Sequence, residues 1–213
     1  MADSLGYDDF AKMIHGAAGK VAAEHETLSR LDSVMGDGDH GTTMRRAMNL
    51  AVKAADDCRA RDLMALLSDV GWAILGVDGG ATGPLLGTFF IGMAEAVGGR
   101  QVLDAAAVAE AFEGAAAAVR KQTKAEVGDK TIIDALVPAV KALRAAAQAG
   151  ESVAGAMEKA AEAAERGAAS TKDLRAKFGR ARNLGNRSIG SPDPGATSMG
   201  LIFRGFADAV AAK

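Results

Sequence analysis

Cysteine is almost absent from the 213 residues: Cys58 is the only one, so neither an internal disulfide nor a thiolate metal cage can form. The sequence environment of Cys58, an alanine-rich helical stretch, assigns it the role of a small apolar filler, and its isolation fits a reducing cytoplasm. Aromatic residues make up only 4% of the chain, and β-branched residues rarely alternate with polar ones, so strand signals are nearly missing. No apolar run reaches the roughly 18 residues that a membrane-spanning helix needs. The opening MADSLGYDDF is acidic and lacks the basic-then-apolar pattern of a secretion leader. The expectation is a cytoplasmic protein with no membrane partner. Charge of one sign is lacking too: 25 basic residues stand against 27 acidic ones, scattered rather than striped, which argues against a nucleic-acid partner.

What remains is alanine, glycine and a helical period. A chain of this length buries roughly two-thirds of its unfolded surface, which favours one domain over residues 1–213. Apolar residues at Phe10, Met13, Ile14, Ala17, Val21, Leu28 and Leu31 mark one face of a long first helix, with Asp8 or Asp9 as its cap. A second helix begins near Gly41, with Met44, Met48 and Val52 on its face. A third covers about 61–75, and a fourth follows the turn GVDGGATGP (76–84). Further helices are expected at about 104–122, 131–148, 152–168, 171–178 and 196–211, separated by Gly, Pro or capping residues. The low-complexity stretch at 145–169 keeps Val153, Met157 and Ala160 or Ala161 in helical register, so it reads as a helix packed through small residues rather than a linker. The fold class is all-α. The turns at 36–41, 76–87, 128–131 and 185–195 are Gly-rich or Pro-containing, and turns carry sites more often than helix faces do.

The turn at 36–41, GDGDHG, matches G-x-G-x-x-G literally, yet no hydrophobic strand precedes it, so the dinucleotide-binding fingerprint lacks its context. An EF-hand fails as well, because its fifth and twelfth positions would be Gly41 and Met48. Asp32, Asp37 and Asp39 instead put three carboxylates within eight residues across a helix end and a tight turn. Unneutralised, they repel one another and any anion. A hard divalent cation removes that repulsion, and Mg²⁺ takes a few carboxylates while keeping positions for water and phosphate oxygens. The competing reading makes them caps and turn formers in a solvated loop. His40 closes the turn and opens the next helix, beside two carboxylates. His15 and His25 have no such company and read as ordinary helix residues.

Four stretches together, LDSVMGDGDHGTTM (31–44), GGATGPLLGTFF (79–90), GDKTIIDALVPA (128–139) and GRARNLGNRSIGSPDPGATS (179–198), resemble the nucleotide-binding L subunit of dihydroxyacetone kinases. They occur in order over nearly the whole chain. The resemblance implies a closed, antiparallel eight-helix barrel that binds ADP or ATP at one end through two Mg²⁺ ions. It places the metal on Asp32, Asp37 and Asp39. Nucleotide contacts fall on His40, Gly41, Thr42 and Thr43, on Ala81 and Thr82, and on Thr123, Ile132, Arg180, Asp193, Pro194 and Gly195. It also implies a partner K subunit that holds the hydroxyketone, a phosphotransferase-system M subunit as an alternative phosphoryl source, and a homodimer.

The chain departs from the family's common pattern at Gly38, where members served by a separate donor protein often have alanine, at Ser191 and Pro192, and at Arg182 and Asn183. Thr82 replaces a common serine but keeps the hydroxyl. The phosphotransferase reading competes with a nucleotide-dependent regulatory module without turnover, and with a plain helical scaffold whose acidic turns are incidental.

Overall fold

The computed structural model describes residues 4–213. Met1–Asp3, which open the acidic N-terminal stretch, lie outside them. Eight α-helices run in this order among the described residues: α1 (Tyr7–Met35), α2 (His40–Asp57), α3 (Leu63–Leu75), α4 (Thr82–Val97), α5 (Ala105–Gln122), α6 (Ile133–Gln148), α7 (Val153–Ser170) and α8 (Pro194–Ala211). Each packs on its sequence neighbours, and α8 packs on α1, so the helices form a closed ring. Short connections reverse the chain between most packed neighbours, and although the segment 171–193 between α7 and α8 is long, residues at the starts of α2, α4, α6 and α8 line one cavity, so the helices alternate in direction.

α1 has 29 residues and is about 44 Å long at 1.5 Å per residue. Its buried residues Phe10, Met13, Ile14, Ala17, Val21 and Leu28 follow the expected face, except that Leu31 at its end is only half-buried and Met35 is buried instead. The expected cap is corrected: Gly6 caps the helix, and Asp9 lies in the first turn, where its carboxylate accepts the Gly6 N–H at 2.9 Å and an ion pair from Lys213 at 2.8 Å. The ring closes because α1 and α8 meet through glycines. A Cβ on Gly205 would stand 2.5 Å from the Ala17 backbone, and one on Gly16 would stand 2.4 Å from the Gly205 carbonyl oxygen. No larger residue lets the two backbones approach this closely.

Five of the seven phenylalanines, Phe89, Phe90, Phe112, Phe203 and Phe206, fill the interior from α4, α5 and α8. Their ring centroids lie 5.3 to 6.5 Å apart, mostly edge to face, the arrangement the ring quadrupole favours. The scarce aromatics are therefore concentrated inside the ring.

Other expectations are adjusted locally. α4 begins at Thr82, so Pro84 sits in its first turn, where a missing N–H costs nothing. Cys58 stands one residue beyond α2 rather than within it, half-buried, with its carbonyl accepting the Tyr7 hydroxyl at 3.0 Å. The helix expected over 171–178 shrinks to a 3-10 turn, Thr171–Asp173, and a 3-10 segment, Arg180–Ser188, kinked at Gly185, occupies part of what reads as turn. Leu5–Gly6 pairs antiparallel with Val102–Leu103, a two-residue ladder too short to leave a sequence pattern.

Candidate functional site

Alternation in the ring decides where the site lies. The helix starts of α2, α4, α6 and α8 gather at one end: the first residues His40, Thr82 and Pro194 of α2, α4 and α8, with Ile132, the N-cap of α6, all line a single cavity of about 430 Å³. Four positive dipole ends around one cavity form an anion site before any side chain is considered. The opposite charge comes from the α1–α2 turn. Asp32 on the last turn of α1, Asp37 in the turn and Asp39 at the N-cap of α2 each offer a carboxylate oxygen, all within 4.8 Å of one another. Asp32 is oriented by the His40 N–H, which donates to its Oδ2 at 3.2 Å.

The cluster is electrostatically uneven. Desolvation, reinforced by the charges of Asp37 and Asp32, pushes the Asp39 carboxyl up. Desolvation opposes ionisation of Asp37 as well, but its own backbone N–H and the Arg180 guanidinium outweigh it and hold that carboxyl down. Arg180 forms an ion pair with Asp37, so a side chain more than 140 positions away in the sequence partly neutralises the turn. Hard oxygen donors at this spacing suit Mg²⁺, and neither thiolate nor a second histidine is present to favour a softer metal.

Of the residues expected at the site, Asp32, Asp39, His40, Ala81, Thr82, Thr123, Ile132, Arg180, Asp193, Pro194 and Gly195 line the cavity. Asp37 belongs to the acidic cluster at its edge. Gly41, Thr42 and Thr43 stand apart from the lining. Gly41 is buried where α2 crosses α1, and a Cβ there would stand 1.8 Å from the His25 carbonyl oxygen, so helix packing by itself demands glycine. Thr43 is buried against Gly79, bracing the turn before α4, and Thr42 is exposed.

The cavity lining combines apolar side chains, Met35, Met44, Leu85, Leu86, Phe178 and Met199, with polar groups at the helix starts. Such a mixed lining suits a ligand with a flat apolar part and an anionic end. His40 lies among the polar groups: its Nε2 is 3.1 Å from Ser198 Oγ and its Nδ1 is 3.5 Å from Thr82 Oγ1. Burial pushes its imidazole pKa down, against the pull of Asp32.

Three supporting residues were not singled out from the sequence. Asp134, 2% exposed, accepts the Gly128 N–H at 2.6 Å and the Thr131 N–H at 2.7 Å, which shapes the turn that presents Thr123 and Ile132. Lys130, 1% exposed, donates to the carbonyls of Thr171 and Ser191 at 2.5 Å each and so ties that turn to the segment leading into α8. The third is Ser198, on the first turns of α8. Asp134 and Lys130 lie within GDKTIID, where two buried charges in a glycine turn are the available signal. Asp193 accepts the Ala196 N–H at 2.7 Å, and burial pushes its carboxyl up to about 7, opposed by that hydrogen bond and by Lys130.

The model of the DAK2 domain matches residues 34–208. This chain belongs to the DAK2 domain family. It is 41% identical over 183 residues to the PEP-dependent dihydroxyacetone kinase ADP-binding subunit DhaL of Escherichia coli, with 86% of this chain and 87% of that one covered. A Listeria innocua protein of the same description is 37% identical, again with 86% and 87% covered. D-erythrulose kinase of Mycolicibacterium smegmatis is 35% identical, but 94% of this DAK2 chain corresponds to only 35% of that longer one. Among solved structures, the dihydroxyacetone kinase of C. freundii in complex with AMP-PNP and Mg²⁺ superposes with a TM-score of 0.72 at 26% identity, over 93% of this chain and 33% of that one. The family expected from the four motifs is the family found, and the DAK2 fold is all-α as expected.

Proposed function

We propose that this DAK2 chain, acting as one domain over its 213 residues, is the Mg²⁺-nucleotide subunit of a two-component kinase that phosphorylates a small hydroxyketone, dihydroxyacetone or a related tetrulose, held on a separate K-type subunit. The observation that carries this reading is the acidic trio set beside four converging helix starts on a cavity of about 430 Å³. Asp32, Asp37 and Asp39 would hold Mg²⁺, which would supply positive charge to offset the negative charge that develops on the transferred group. The starts of α2, α4 and α8 orient the phosphates, and the apolar side chains of the lining take the base. Arg180, which pairs with Asp37 and also lines the cavity, is placed to contact phosphate with its guanidinium.

Two further observations support the two-component form. The relatives of matching length are named ADP-binding subunits, whereas the erythrulose kinases are nearly three times as long. Among the described residues His40 is the one imidazole that lines the cavity, so no second histidine is there to hold a ketone. The cavity end, with the turns at 36–43, 79–84 and 185–195, is the surface that docks the K subunit and excludes water from the transfer. The Escherichia coli and Listeria innocua relatives of matching length are named PEP-dependent and that of Lactococcus lactis PTS-dependent, which supports an M-type phosphotransferase protein as the donor that recharges the bound ADP.

The test is calorimetric titration with ADP, with and without Mg²⁺, on the parent and on Asp37→Ala, followed by an assay with dihydroxyacetone and a cognate K subunit. Binding should require Mg²⁺ and weaken by about a hundredfold in the variant, the scale of losing a charge-assisted contact. Turnover should need the K subunit. Equal affinity in the variant, or turnover by the chain alone, would overturn the assignment.

A further inference from the structure

Ser198 is buried on α8 and donates its hydroxyl proton within its own helix, to the Gly195 carbonyl at 2.9 Å. A hydroxyl has one proton, so toward the His40 ring, 3.1 Å from Nε2, the same oxygen can only accept. This neighbour therefore calls for an N–H on the ring nitrogen that faces it, which is Nε2–H. The neutral ring then carries its lone pair on Nδ1, facing Thr82 Oγ1 at 3.5 Å. Thr82 completes the chain by donating its only hydroxyl proton to Nδ1. Its remaining lone pairs face the cavity that Asp32 and Asp39 also line.

We propose that Ser198 is a positioning residue that locks His40 as the Nε2–H tautomer, and that Thr82 is thereby committed to present oxygen lone pairs to a hydrated divalent cation rather than a proton to phosphate. The cation rests on the nucleotide reading above, while the tautomer stands on hydrogen-bond geometry alone. The arrangement spans three helices: Ser198 from α8, His40 from α2 and Thr82 from α4. It gives a hydroxyl outside the expected contacts a defined role, because reversing the tautomer would turn Thr82 from acceptor into donor and set it against a positive charge.

The chain has only three histidines, which makes the tautomer directly readable. Long-range ¹H–¹⁵N imidazole spectra of the ¹⁵N-labelled full chain, recorded without nucleotide at pH 8 and assigned with His15→Gln and His25→Gln, should show His40 as a single Nε2–H form. Ser198→Ala should move the His40 nitrogens toward a mixture of tautomers with the helical circular dichroism unchanged. It should also weaken Mg²⁺–ADP binding by about three- to tenfold, the range of one lost neutral hydrogen bond. Thr82→Val should lose about as much as Ser198→Ala, and Thr82→Ser, which keeps the hydroxyl, should lose less. An Nδ1–H form in the parent overturns the proposal even if the variant fails to fold, and so do His40 signals that ignore Ser198→Ala. A parent with the Nε2–H form but no affinity for Mg²⁺–ADP removes the cation role together with the nucleotide reading and leaves the Ser198–His40 lock standing.

Discussion

At the scale of single residues, the acidic turn is held together by an intruder. Arg180 sits on Asp37, which neutralises part of the cluster but also competes with any cation for that carboxylate. Both side chains are about half exposed, so the pair is screened by solvent and contributes little to stability. Its removal should therefore act on ligands rather than on the fold. Arg180→Ala is expected to bind Mn²⁺ about two- to fivefold more tightly in the absence of nucleotide, and ADP more weakly in its presence. Paramagnetic relaxation of water protons for the metal and calorimetry for ADP would measure the two effects. Weaker metal binding in the variant would show that Arg180 supports the cation site instead of competing for it. Gly41 teaches the opposite lesson about reading residues, since its place in the motif is explained by the crossing of α1 and α2 without reference to a ligand.

At the scale of elements, alanine and glycine set how closely helices approach. Two glycines of comparable sequence context respond to different forces. Gly205 lies against the Ala17 backbone, so Gly205→Ala inserts a methyl where there is no room and should cost about 1–3 kcal/mol, the typical cost of overpacking. Gly19 is exposed on α1 with nothing within 4 Å of an added Cβ. Gly19→Ala should stabilise by about 0.5–1 kcal/mol, because alanine loses less backbone freedom in a helix. Urea unfolding of both variants separates the two, and equal effects would deny that α1 and α8 close the ring through backbone contact. The length and pattern of α1 through α8 were legible because each buries one stripe at a 3.6-residue period. The 171–188 segment was not, since its short 3-10 turns are held by distant groups such as Lys130 and Ser188 rather than by a pattern of their own.

For the whole molecule, Asp193 links the site to global stability. Burial raises its carboxyl from 3.8 to about 7, with the Ala196 and Gly195 amides and Lys130 opposing the rise and Asp134 adding to it. A carboxyl with a raised folded-state pKa binds its proton more tightly in the native state. Its favourable contribution is complete below about pH 4 and is lost as pH rises through about 7. Asp193→Asn keeps an acceptor for the α8 N-cap and removes the titration. The melting temperature of the variant relative to the parent should therefore climb between about pH 4 and pH 7 and then level off. A constant difference across that range would mean that Asp193 stays ionised throughout.

The sequence by itself determined the all-α class, most helix boundaries to within a few residues and the acidic cluster. Each of these depends on neighbours: a helical period is local, and Asp32, Asp37 and Asp39 reach one another because a single turn separates them. Four motifs carried enough local pattern to mark the family. Only the tertiary structure decided that His40, Thr82, Ile132 and Pro194, at the starts of four helices, surround one cavity, that Arg180 lies on Asp37, and that Ser198 faces His40. These juxtapositions follow from the ring, in which alternate helices point the same way and glycine contacts such as Gly16 with Gly205 fix the closing pair. The pattern of one helix reports which of its faces is buried, whereas the groups that meet across a ring depend on how all eight faces pack at once.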